Sequence, residues 1–270
     1  MGVSRLFRDL MKSKPKIAIC DFTDCEGCEV ELISLREKFL AIEKRLDIVD
    51  WRLGQEKKEK GPFFAAIIEG APITQYEIDT LKFLRENSKY IFSLGACASL
   101  AGIPGIIKKE EREKWCQKIY GKNYKSQCID ALPLSAYVKV DFLIHGCPVN
   151  PDEVVRILEE LLAGRKPEKR GYSVCFECKL AGNECRLINK KPCLGPITQG
   201  GCGAVCVSGG SSCYGCFGFQ EEPNTKGLLK VLGKFAGPKE IERLFSMFLR
   251  QSKEYKEIVE PKIKNDQLNQ

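Results

Sequence analysis

Eight of the chain's fifteen cysteines lie between Cys175 and Cys216, in CFECKLAGNECRLINKKPCLGPITQGGCGAVCVSGGSSCYGC. Thiols at this density can form disulfides, bind structural zinc or hold iron–sulfur clusters. Cys175-x-x-Cys178 and Cys213-x-x-Cys216 are chelating pairs whose thiolates can both reach one metal centre. A disulfide across so short a span would close a strained ring, which makes disulfides the weakest reading. Because CxxC pairs serve either metal, zinc and iron–sulfur chemistry both stay open on this spacing alone.

The other seven cysteines are Cys20, Cys25, Cys28, Cys97, Cys116, Cys128 and Cys147. Four of them, Cys25, Cys28, Cys97 and Cys147, follow short apolar runs that read as buried parallel strands. Strands are expected from Lys16 to Cys20, Leu46 to Trp51, Phe63 to Ile68, Tyr90 to Leu94 and Val138 to Ile144. Helices are expected from Glu29 to about Arg45, from Thr74 to about Asn87, from Lys108 to Tyr120 and from Asp152 to Leu162. Pro151 suits the first turn of the last of these, with Asn150 capping it. Strand alternating with helix predicts an α/β domain with a parallel sheet. In such a sheet the loops at the carboxyl ends of the strands converge at a topological switch point, so four thiols distant in sequence could meet there. One such cysteine alone would read as a small buried apolar residue; four of them, each beside a glycine (Gly27, Gly95 or Gly146), read as a set.

A chain of 270 residues that is 43% hydrophobic has room for two domains, placed at residues 1–167 and 168–270. The second is rich enough in Gly and Pro to lack long regular elements. A short polar or helical lead-in precedes Lys16, a last amphipathic helix starts at Gly237, and the charged tail from about Ser252 to Gln270 is expected to fray. The net charge of +7 comes from Lys and Arg interleaved with Glu and Asp, as in KKEEREK at 108–114, which reads as a solvated surface without a nucleic-acid stripe. No run reaches the roughly eighteen apolar residues of a membrane span, and MGVSRLFRDLMKSKPK has no export signal. A cytoplasmic protein with reduced thiols is the expectation.

Several segments together resemble the small subunit of [NiFe] hydrogenases and its relative, the cluster-bearing quinone-reductase subunit of respiratory complex I. TDCEGCEVEL looks like the family's first ligand loop, IIEGAP like its EGA strand end, GACASLAGIPG like its second ligand loop, and GCPVNPDEV like its GCPPNPE element. With the cysteine-rich region, the resemblance covers most of residues 16–216. It implies a flavodoxin-like α/β domain followed by a small, irregular two-cluster ferredoxin-like domain. It further implies that Cys25, Cys28, Cys97 and Cys147 hold a proximal [4Fe-4S] cluster facing the nickel–iron site of a separate large subunit. The first loop here carries CxxC where complex I subunits have adjacent cysteines, and complex I lacks the later eight cysteines, which favours the hydrogenase branch.

In its second half the chain departs from the pattern of the family's periplasmic members at two cysteines. Cys175 stands where periplasmic members have a His ligand to the distal cluster, and Cys206 is additional to their three-iron medial site. The resemblance then assigns Cys175, Cys178, Cys185 and Cys193 to a distal [4Fe-4S] cluster and Cys202, Cys206, Cys213 and Cys216 to a medial one. An interleaved division, exchanging Cys193 and Cys202, is the alternative. Three such clusters need twelve thiolates, and removing Cys20, Cys116 and Cys128 from fifteen cysteines leaves twelve. His145 is expected to orient or pack near Cys147, and Glu29 and Glu69 to lie near the proximal set. The implied function is electron relay between a large subunit and a flavin or iron–sulfur subunit serving NAD(P), deazaflavin, polysulfide or heterodisulfide reduction. The rivals are a complex I-like quinone module and a zinc-ribbon nucleic-acid-binding protein.

Overall fold

The computed structural model describes residues 14–56 and 58–268, so the lead-in before Lys14 lies outside the described residues. Strands β1 (Lys16–Asp21), β2 (Asp47–Trp51), β3 (Phe63–Glu69), β4 (Ser88–Leu94) and β5 (Phe142–Ile144) form one parallel sheet in the order β2-β1-β3-β4-β5. This is the flavodoxin-like order, with its switch point between β1 and β3. The strands are near-continuous apolar runs because both faces are covered. Ile17, Ile19, Ala65 and Ile67 point to one face, where Leu32, Val154 and Leu158 pack, while Ala18, Ala66 and Ile68 point to the other, against Leu81 and Leu84.

Helix ends follow local chemistry. In Gln75–Asn87 the Thr74 hydroxyl accepts from the Glu77 N–H at 3.2 Å and the Glu77 carboxylate accepts from the Thr74 N–H at 2.9 Å, a reciprocal cap. In Pro151–Leu162 the Asn150 side chain accepts from the Asp152 N–H at 3.1 Å, as expected from the Asn-Pro pair.

A separate apolar core is built from residues between Val174 and Ile263, including Leu194, Leu232, Phe245 and Leu249. Its helices around the cysteines are short, Val174–Leu180 and Val205–Ser208, and longer ones follow at Thr225–Leu232 and Pro238–Ser246. Ala96, from the Gly95–Leu100 helix that carries Cys97, packs into this second core. Asn150 Nδ2 donates to the Gly201 carbonyl at 2.9 Å, and Arg170, beyond the connecting segment, grips Glu153, which Arg156 also holds from within its own helix.

Four expectations are corrected. The helix foreseen from Glu29 to Arg45 is two, Gly27–Ser34 and Glu37–Glu43, broken where Arg36 takes φ 50°. The apolar residues counted there do not share one face: Cys28, Leu32 and Ile42 are buried, whereas Val30, Ile33 and Leu40 are exposed. β5 is confined to Phe142–Ile144, since just before it the Asp141 carboxylate, at 2.9 Å, takes the Ile91 N–H of β4 in place of a strand carbonyl. The stretch GACASLAGIPG contains a helix, Gly95–Leu100, and a single 3-10 turn. The tail does not fray after Ser252. A π-turn at Tyr255–Val259 runs into the helix Glu260–Leu268, and Tyr255, Val259 and Ile263 close the second core. Three apolar side chains spaced by four residues in a charged sequence escape a composition argument but suffice to dock a helix.

This docking gives a test: Val259→Asp, which buries a charge in an apolar site, should destabilise the protein by about 3 kcal/mol or more, while Lys264→Ala on the exposed side should change it by less than about 0.5 kcal/mol. Chemical denaturation of the two variants measures this, and equal midpoints would mean the tail is not part of the core.

Candidate metal centres

The loop after β1 carries Cys25 and Cys28, the Gly95–Leu100 helix after β4 carries Cys97, and the turn after β5 carries Cys147, so all four stand at the carboxyl edge of the sheet. They are brought together there. Burial pushes the Cys97 thiol up to about 12, with the Cys147 and Cys25 thiols adding to the push. Burial likewise raises Cys28, with Glu69 and Cys97 adding to it, and Cys147, with Cys25 and Glu69 doing the same.

Glu69, at the end of β3, places Cys28. It is buried, and its two carboxylate oxygens accept from the backbone N–H groups of Cys28 at 3.1 Å and Glu29 at 2.8 Å. A carboxylate at a helix N-terminus satisfies orphan donors and the helix dipole together, which locks the first turn of Gly27–Ser34. Glu29 is fully buried and takes a hydrogen bond of 2.7 Å from Trp51 Nε1. Burial still pushes its carboxyl up to about 7. Gly95 supplies the remaining room: at φ +83° a Cβ there would sit 2.4 Å from Cys28 Sγ.

The cysteine-rich half gathers its thiols in two neighbourhoods. Cys175, Cys178, Cys185 and Cys193 line one small cavity with Lys179 and Arg186. Burial raises Cys175 to about 11, with Cys193, Cys178 and Cys185 as charge neighbours in that order. Cys202, Cys206 and Cys216 form the second: burial raises Cys216 to about 12, with Cys202, Cys206 and Cys147 contributing. Cys213 lies between the two. Burial raises it, Cys193 and Cys216 both act on it, and its backbone N–H donates to Cys193 Sγ at 3.4 Å. Among the described residues no three Cys, His, Asp or Glu side chains close on one point as ligands of a single ion do. The thiols are neighbours around spaces.

These sets make one continuous file. The backbone N–H of Cys147 points to the Cys216 sulfur, joining the sheet-edge thiols to the second neighbourhood, and Cys213 joins that to the third. The donor chemistry fits iron–sulfur cores, because a buried thiol is costly to ionise until a metal centre supplies the opposing charge.

Cys20, at the end of β1, is raised to about 12 by burial and joins none of the three groups; Cys116 is half-buried in a helix and Cys128 is exposed. His145 acts in orientation. Burial, aided by Lys169, holds its imidazole down at about 4, so it is neutral near pH 7. The Ser99 hydroxyl donates to the Gly95 carbonyl at 2.8 Å, which leaves His145 Nδ1–H to donate to Ser99 Oγ at 2.7 Å and Nε2 to face Gly218. Two residues escaped the sequence reading. Glu177 accepts from the Gly201 N–H at 2.8 Å and lies 3.8 Å from Cys202 Sγ, and Thr198 Oγ1 is 3.5 Å from Cys213 Sγ. Glu177 sits inside the Cys175-x-x-Cys178 pair, which is the signal that could have found it; Thr198 carries none.

A parallel sheet with thiols massed at its carboxyl edge is thus continued by a second thiol-rich core. The chain belongs to the family of the NADH ubiquinone oxidoreductase 20 Kd subunit, whose family model matches residues 25–161. Relatives that it matches include hydrogenase subunits. It is 35% identical to sulfhydrogenase 2 subunit delta of Pyrococcus furiosus, over 87% of this chain and 99% of the relative. The delta subunit of the NAD-reducing hydrogenase HoxS of Cupriavidus necator is 24% identical over 57% of this chain and 81% of its own length. In fold the chain is similar to a [NiFeSe] hydrogenase of Desulfovibrio vulgaris Hildenborough, with a TM-score of 0.52 at 18% identity over 80% of this chain and 97% of that one. No helix of the described residues is long and apolar enough to cross a membrane.

The close approach at Gly95 is open to test. Gly95→Ala should lower iron per chain by displacing Cys28 Sγ, whereas Gly121→Ala, also at positive φ but with nothing within 4 Å of its Cβ, should keep the parent iron content. Iron assay alongside circular dichroism separates loss of metal from loss of fold, and equal iron in both variants would remove Gly95 from the site.

Proposed function

We propose that the chain is the electron-transfer small subunit of a cytoplasmic [NiFe] hydrogenase, in which residues 1–167 and 168–270 form two domains that together hold three [4Fe-4S] clusters. Cys25, Cys28, Cys97 and Cys147 would hold the proximal cluster, Cys202, Cys206, Cys213 and Cys216 the medial one, and Cys175, Cys178, Cys185 and Cys193 the distal one. The observation that carries the proposal is the unbroken file of neighbouring thiols, from Cys25 and Cys97 through Cys147 and Cys216 to Cys213 and Cys193. When bound, the clusters supply one-electron redox chemistry.

The chain's own work is positioning. Glu69 holds the Cys28 turn, the Cys147 N–H and Thr198 Oγ1 lie against the sulfurs of Cys216 and Cys213, and the second core takes Cys178, Cys193 and Cys213 out of water. Hydrogen bonds to sulfur and burial are levers on cluster potential. H2 chemistry belongs to a large partner subunit, and the exposed apolar residues Val30, Ile33 and Ile103 beside the sheet-edge thiols suit its docking. A flavin or iron–sulfur subunit takes the electrons. The complex I-like alternative leaves the second thiol-rich core without a purpose, and a zinc ribbon leaves the sheet-edge thiols without one.

Anaerobically prepared protein should contain about twelve iron atoms per chain, and iron near four, or stoichiometric zinc, would sink the proposal. Cys206→Pro should leave a [3Fe-4S] medial cluster, visible as a three-iron EPR signal absent from the parent. An unchanged set of four-iron clusters would mean that Cys206 is not a ligand.

A further inference from the structure

The helix Lys109–Tyr120 has no buried residue. Among the described residues, its side-chain bonds to the body of the chain come from its start: Lys108, just before it, pairs with Glu242 at 3.3 Å, and Arg112 donates to the carbonyls of Ile129 at 2.8 Å and Pro104 at 3.2 Å and pairs with Asp130 at 3.2 Å. From Glu113 onward the side chains engage one another. Gln117 donates to Glu113 at 3.0 Å, Lys118 Nζ lies 4.7 Å from the centre of the Trp115 ring, and Tyr120 packs on Tyr124 with ring centres 4.7 Å apart. Trp115, Ile119, Tyr120 and Tyr124 are thereby left 42%, 67%, 66% and 41% exposed, with Trp115 and Ile119 four residues apart on one side. Large apolar side chains gathered on one projecting element mark a contact surface. Charge is divided along the same element. With Arg112 taken by Asp130, the acids Glu110, Glu111 and Glu113 are opposed in the first half by Lys109 alone, whereas Lys114, Lys118, Lys122 and Lys125 follow with no acid among them. None of these acids and lysines is in an ion pair among the described residues.

We propose that this helix is the contact between two copies of the chain, packed antiparallel about a two-fold axis beside Trp115. A helix acidic at one end and basic at the other repels a parallel copy and complements an antiparallel one. Glu111 and Lys118 are about two turns apart and so share a flank. With the axis midway between them, each Glu111 faces the Lys118 of the other copy and the two Trp115 rings meet at the centre. Acids near a helix start and lysines near its end also suit the helix dipole, but the dipole leaves Trp115 and Ile119 in water and does not account for Lys122 and Lys125, which lie past the end of the helix. One helix face from each copy makes an interface below about 1,200 Å², in the class of reversible contacts, so the pairing should depend on concentration. The contact involves none of the twelve thiols proposed as ligands and stands apart from the relay.

The test is sedimentation velocity on the native complex, purified anaerobically with the subunits that accompany the chain, over a wide range of concentration. The parent should pass from one complex to two as concentration rises. Trp115→Asp should move the midpoint of that change up about tenfold or more, with iron per chain and subunit composition unchanged. Glu111→Lys and Lys118→Glu, each alone, should move it up about threefold or more. The two changes together in one chain should bring it back within about twofold of the parent, because both antiparallel pairs are then reversed. That recovery belongs to the antiparallel pairing alone and decides the matter even where Trp115→Asp disturbs the fold. The proposal is overturned by a parent that stays one complex at every concentration, by a doubled mass indifferent to all the variants, or by a double reversal no better than either single change. Loss of a subunit on Trp115→Asp would overturn it too, since another subunit would then be what covers the helix.

Discussion

A thiol taken out of water resists ionisation, and the structure buries Cys28, Cys97, Cys178, Cys193 and Cys213 and half-buries Cys175, Cys185, Cys202 and Cys216. Burial is the leading cause of every raised thiol in the three groups, from Cys97 at the sheet edge to Cys213 between the two outer sets. Ligands to iron must be thiolates, so the protein around them has to make the charged form tolerable until metal arrives. It does this with backbone. The N–H groups of Val149 and Ile103 reach Cys28 and Cys97, those of Gly195 and Cys213 reach Cys193, and that of Cys147 reaches Cys216. Short helices and turns are the natural consequence, because a long helix would consume those donors internally.

The same constraint accounts for the carboxylates packed beside the sheet-edge thiols. Glu69 accepts two backbone N–H groups at the start of Gly27–Ser34, and Glu29 accepts from Trp51, so each is held by hydrogen bonds within protein. Their cost is an upward push on their own carboxyls and on Cys28. What is gained is a rigid first turn, and with it a fixed direction for the Cys28 sulfur.

The two cores are joined at the thiols. Ala96 packs into the second core, Asn150 reaches the Gly201 carbonyl, and His145 sits between Ser99 and Gly218. A neutral imidazole serves there because it can donate from Nδ1 while Nε2 lies against glycine without burying a charge. In the present chain the second core lengthens the file of thiols away from the sheet.

The parallel sheet was legible in the sequence because a strand covered on both faces must be apolar along its whole length, as in KIAIC and FFAAII, and because Asn150-Pro151 and Thr74 announce helix starts by their own hydrogen bonding. The sheet-edge cysteines were legible as a set for the same reason: each follows a strand, and parallel strands bring those ends together. What the sequence could not decide depends on partners distant in the chain. Arg36 breaks a helix that local spacing would continue, and Tyr255, Val259 and Ile263 dock a tail whose composition is that of a solvated one. Likewise, the division of eight closely spaced cysteines is not a matter of spacing. Cys193 falls with Cys175, Cys178 and Cys185, and Cys213 falls between two groups, because the turns at Gly195 and Gly215 fold the chain back on itself and bring the Cys213 N–H to the Cys193 sulfur, twenty residues away. Local chemistry picks out the candidate thiols, and only tertiary packing says which of them share a space.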